Sequence, residues 1–215
     1  MTGVDANLIV LGLTYFVVFL FSTTLHEAAH AWSAYKLGDS TAYEGGQVTL
    51  NPLPHVQREP WGMILIPLIS FTMSQGRSMF GWASAPYDPT WAQHYPKRAA
   101  MMAAAGPAAN LLLAVVAGLL MRFTPALLIQ GVSQPLEILF SMNLLLFVFN
   151  LLPVPPLDGS AILPVFMSEK MADRYRETIH QPMFSLIGFL VAWVCFPYVY
   201  APIQYLAIRL LQLGL

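Results

Sequence analysis

Apolar residues fall in four long runs separated by short clusters of charge. The first extends from Ala6 to Leu25 and ends at His26 and Glu27. Ala28, Ala29, Ala31 and Trp32 prolong its apolar face, so the pattern predicts a helix over 7–35. The second holds 23 uncharged residues between Arg98 and Arg122 and predicts a helix over 98–121. The third holds 20 residues between Glu137 and Asp158 and predicts a helix over 136–153. The fourth covers 28 residues from Gln181 to Ile208 and predicts 183–212, read as one span kinked at Pro197 and Pro202 in preference to two short pieces. Each run approaches the roughly 20 residues that a helix needs to cross the hydrocarbon. Trp61 to Met73 is apolar but too short to cross, and Pro67 interrupts it, so it predicts a re-entrant segment. Before it, Gly45-Gly46-Gln47-Val48-Thr49-Leu50-Asn51-Pro52 pairs turn residues with a short alternation and predicts a small β-hairpin. The expected fold class is an all-α integral membrane protein with about four transmembrane helices, the re-entrant segment and the hairpin. All of it would form one polytopic domain, residues 1–215.

Composition supports a membrane setting. Hydrophobic residues make up 57% of the chain and charged residues 10%, against about 25% charge in soluble domains. The net charge of -1 argues against nucleic acid as a partner. The single cysteine, Cys195, excludes an intramolecular disulfide framework and a Cys-rich zinc site. Asp5 is the one charge ahead of the first run and no basic region precedes it, which predicts a retained helix rather than a cleaved leader. Eight of the ten basic residues lie in two segments: Lys36, Arg58, Arg77, Lys97 and Arg98, then Lys170, Arg174 and Arg176. Arg122 and Arg209 fall on the other side. The positive-inside bias predicts a multi-pass cell-membrane protein with its N-terminus outside and both basic segments cytoplasmic.

The chemistry concentrates at His26-Glu27-Ala28-Ala29-His30. Residues four apart share a helix face, so the two imidazoles can bind one Zn²⁺, with Glu27 placed to take a proton from water. Ionisable groups inside a membrane helix are costly and mark function. Two histidines leave zinc short of the three protein ligands of a hydrolytic site. Candidates for the third are His55, His94, His180 and the acidic residues. Asp158 stands out, because the prolines of Asn150-Leu151-Leu152-Pro153-Val154-Pro155-Pro156-Leu157-Asp158-Gly159 end the third helix near membrane depth and free its carboxylate to reach a neighbour.

The paired motifs HEAAH and NLLPVPPLDG resemble the site-2 protease family of intramembrane zinc metalloproteases. VTLNPLPH (Val48–His55) and Gly106-Pro107-Ala108-Ala109-Asn110 are similar to further familial features, and the resemblance covers residues 20–160 or so. It implies that His26, His30 and Asp158 ligate zinc, that Glu27 is the catalytic base, and that transmembrane proteins are cleaved near the cytoplasmic face. The stretch 35–98 is too short for a PDZ domain, so the likeness is to a compact form. Asn150 and Asn110 are candidates to bind the oxyanion or substrate backbone, or simply to hydrogen-bond between helices. His55 is a candidate for the substrate path, or a plain turn histidine. His94 and His180 read as solvated. Val48 to Leu50 could pair with an extended substrate. The competing readings are a zinc-binding transporter or regulator without hydrolysis and a prenyl-protein endopeptidase. A regulatory partner and a homo-oligomer are both left open.

Overall fold

The computed structural model describes residues 6–123, 133–179 and 181–213. His180 and Asp5 lie outside the described residues. Ten α-helices occur among the described residues. They are α1 (Ala6–Leu37), α2 (Thr41–Glu44), α3 (Pro52–Arg58), α4 (Ile66–Met73), α5 (Pro89–His94), α6 (Pro96–Phe123), α7 (Ser133–Asn150), α8 (Asp158–Ile162), α9 (Glu169–Ile179) and α10 (Pro182–Leu211). The four long helices match the four apolar runs. α1, α6 and α10 are each long and apolar enough to cross a membrane. α7 has 18 residues, and Gln134, Glu137, Asn143 and Asn150 lower its apolar character.

α6 packs between α1 and α7, and α1 also touches α7. Small residues make that contact close: Ala103, Gly106, Ala114, Ala117 and Gly118 of α6 are all buried. Phe19 of α1, Phe71 of α4, and Ile138 and Met142 of α7 form one core cluster. Ala114 and Ala117 pack on Phe140, Leu144 and Val148 in a second, covered by Phe196, Tyr200 and Ile203 of α10. α10 keeps most of its surface outward, which suits contact with lipid.

The segment 61–73 is a π-helical turn (Trp61–Leu65) running into α4. The chain then reverses through Gln75 and Gly76, both at positive φ, and returns without regular structure. The return is pinned where Trp82 N donates to Gly62 O (3.1 Å) and Phe80 N donates to Ser70 Oγ (3.1 Å).

The expected β-hairpin is not formed; no strand occurs among the described residues. Gly46, at φ +69°, instead ends α2. Its N–H donates to Tyr43 O and that of Gln47 to Ala42 O, a Schellman cap. Asn51 caps α3 by accepting from Leu53 N (3.0 Å), with Pro52 at the first helical position. The turn residues are used on two helix ends, and Val48–Leu50 is left as a short bend between them.

Candidate metal centre

His26 and His30 lie one turn apart on α1, with ring centroids 4.6 Å apart, edge to face. Each ring is oriented from behind. His30 Nδ1 donates to the backbone carbonyl of Met102 on α6 (2.8 Å), and His26 Nδ1 donates to Asn110 Oδ1, also on α6. A carbonyl oxygen can only accept, so each Nδ1 carries a hydrogen, and in the neutral ring that leaves the lone pair on Nε2. The two Nε2 atoms are 2.9 Å apart.

Asp158 comes from the far side. Pro153, Pro155 and Pro156 stop α7 from continuing, and the chain folds back through Leu157 N to Val154 O (3.0 Å). Gly159 closes the fold: a Cβ there would stand 2.5 Å from Leu152 O. Asp158 Oδ2 then lies 3.2 Å from His26 Nε2 and 3.4 Å from His30 Nε2. That oxygen is buried and accepts no hydrogen bond. With both rings neutral, three lone-pair atoms converge here, an arrangement that suits a cation. Ligands about 2.0–2.1 Å from a tetrahedral ion sit about 3.3 Å from one another, so these separations fit one ion. Two imidazole nitrogens and a carboxylate oxygen are a zinc set with a coordination position to spare.

Gly106 of α6 faces this point. A Cβ on it would meet His26 Nε2 and His30 Cε1 at 2.6 Å. The bare backbone leaves the volume that an ion needs. Glu27 is buried on the same helix turn as the histidines.

The other sequence candidates lie elsewhere. Asn110 is fully buried behind His26, with its amide used by His26 and Asn143. Asn150 ends α7 and donates to Leu146 O (3.0 Å), which leaves the second hydrogen of its amide available. His55 is buried on α3; its Nε2 donates to Thr49 O (3.1 Å) and its Nδ1 has no partner. His94 is exposed on α5. Among the described residues, neither His55 nor His94 joins the ligand group. Two participants escaped the sequence reading. The sequence marks Gly106 only within the stretch 106–110, with no role of its own at the metal. Asn143 went unnoticed, although an amide in an apolar helix was a signal available from the sequence. Along the same turns of α1, Leu25, Ala28, Ala29 and Trp32 form one wall of an open apolar trough, and residues 48–50 form the other.

The profile of peptidase family M50 matches residues 116–195, which include α7 and Asp158 but not the histidine pair. Over 160 residues the chain is 38% identical to "Putative zinc metalloprotease YwhC" of Bacillus subtilis, covering 70% of this chain and 68% of that protein. The chain belongs to peptidase family M50. This M50 peptidase is also 34% identical over 148 residues to "Putative zinc metalloprotease Rip2" of Mycobacterium tuberculosis, and 32% identical to the protein of that name from Mycolicibacterium smegmatis. The match covers 67% of this chain and 53% of each Rip2 protein, so the chain spans about half their length. No solved structure matches it. The donor set and the family agree on zinc as the metal.

Proposed function

We propose that this M50 peptidase is an intramembrane zinc endopeptidase that hydrolyses peptide bonds of transmembrane proteins close to the cytoplasmic face. The observation that carries the reading is the convergence of His26, His30 and Asp158 around an unpartnered buried carboxylate oxygen. His30 lies seven residues before the end of α1, about 10 Å of helix at 1.5 Å per residue. The site is therefore within the span yet near one face. In this reading α1, α6, α7 and α10 all cross the cell membrane, 61–73 dips in and returns, and the N-terminus is outside. The basic residues Lys36, Lys97 and Arg98 cluster at the site's end of α1 and α6, which supports a cytoplasmic active site.

His26, His30 and Asp158 hold the zinc. When bound it supplies Lewis acidity, polarising a carbonyl and acidifying water. Glu27 takes the proton of the attacking water and passes it to the leaving amine. Asn150 has an amide hydrogen to offer the developing oxyanion. Substrate must leave its own helix to expose a carbonyl, and in this reading residues 48–50 lie alongside the extended stretch. A transporter or regulator would have no use for Glu27, an acid buried beside the ligands.

The test is zinc content and cleavage of a model transmembrane substrate by detergent-purified protein. Wild type should hold about one zinc, as a mononuclear three-ligand site requires. Glu27→Gln should keep zinc and lose cleavage, and Asp158→Ala should lose both. Cleavage by Glu27→Gln at the wild-type rate would overturn the base assignment. Full zinc retention by Asp158→Ala would overturn the ligand assignment.

A further inference from the structure

A polar circuit crosses three helices behind the metal centre. Asn143 on α7 is fully buried, as is Asn110 on α6. Asn143 Nδ2 donates to Leu139 O (2.8 Å) and to Ser22 Oγ on α1 (2.8 Å). Asn143 Oδ1 accepts from Asn110 Nδ2 (2.8 Å), and Asn110 Oδ1 accepts from His26 Nδ1.

We propose that Asn143 is a positioning residue for the metal: through Asn110 it holds His26 in the tautomer whose Nε2 binds zinc. The proposal rests on the reading of His26 as a ligand. An amide can turn over and exchange its donor and acceptor ends at little cost in shape. Apart from Asn143, the one acceptor Asn110 Nδ2 reaches among the described residues is Ser22 O, at 3.5 Å, a distance too long to hold the amide firmly one way. Leu139 O does decide, because a backbone carbonyl can only accept. It draws Asn143 Nδ2, which turns Asn143 Oδ1 toward α6. That oxygen draws Asn110 Nδ2, which turns Asn110 Oδ1 toward His26. His26 must then carry its hydrogen on Nδ1. Without Asn143, only that long contact to Ser22 O opposes turning the Asn110 NH₂ toward His26. The ring then places its hydrogen on Nε2, where it blocks the ion. The links among Asn143, Ser22, Asn110 and His26 are buried hydrogen bonds that would be costly to leave unmade, and the one to Leu139 O is partly buried.

The experiment measures zinc affinity by chelator competition on the purified full chain, with thermal unfolding of the zinc-free protein beside it. Asn143→Leu keeps volume and removes both ends of the amide. It should weaken zinc about 10- to 100-fold, the usual cost of losing an outer partner of a ligand. The decisive comparison repeats the substitution in an Asn110→Asp background. A carboxylate accepts from His26 Nδ1 whichever way it is turned, so Asn143→Leu should there change zinc affinity by less than about threefold. Equal losses in both backgrounds would mean a purely structural Asn143 and would overturn the proposal, as would wild-type affinity in Asn143→Leu. A second measurement needs no variant at residue 143. Nitrogen-15 NMR of the zinc-free wild-type protein, with His26 assigned by its loss in His26→Ala, should show hydrogen on Nδ1. Hydrogen on Nε2 would overturn the proposal. Undiminished zinc in His26→Ala would instead defeat the ligand reading beneath it.

Discussion

A single missing carbon defines the metal centre at Gly106. Any other residue places Cβ against the Nε2 atoms of both histidines. Gly106→Ala should therefore abolish zinc binding, with cleavage reduced more than about 100-fold, while helicity persists because Ala is the better helix former. Elemental analysis and circular dichroism of the same sample check both halves. Zinc bound at the wild-type level would show that α6 gives way. The ligands and the base could be proposed from the sequence because spacing on one helix is local information. His26 and His30 share a face by number alone, and prolines mark where the chain frees Asp158. Gly106 and Asn143 act across interhelical contacts, which no local pattern encodes. A glycine in a membrane helix reads as packing until its neighbours are known.

Among elements, periodicity and run length were enough for the long helices. The observed ends of α1, α6, α7 and α10 fall within three residues of the expected ones. The short alternation at 47–51 misled because its flanking residues serve other elements. Gly46 closes α2 and Asn51 opens α3, so the residues that suggested a hairpin turn are helix caps. The bend they leave still forms a wall of the trough. If it lies along the substrate, Leu50→Pro removes one backbone donor from that wall without touching a ligand. Its kcat/KM should fall up to about tenfold, the worth of one hydrogen bond, with zinc content unchanged. Turnover equal to wild type would show that substrate does not use this edge. The glycine of the Asp-Gly pair has a comparable duty, since Gly159 lets the loop approach Leu152 O. Gly159→Ala should displace Asp158 and lower zinc occupancy by chelator competition.

For the whole molecule, the proposed orientation rests on the placement of ten charges and on an odd number of crossings before each basic segment. Cysteine labelling tests it in a Cys195→Ser background. Arg122→Cys should react with an impermeant maleimide in intact cells, and Lys36→Cys only after the membrane is opened. The reverse pattern would place the active site outside. Whichever face it serves, the centre is closed on most sides. The two histidine side chains are 9% exposed, whereas Asp158 is 22% exposed. The edge at Asp158 is thus the more open way in for a peptide bond and also for anything that would remove the ion. Exchange and turnover then share a doorway, so a peptide held in the site should slow the release of zinc to a chelator, and the enzyme is safest from demetallation while it is at work.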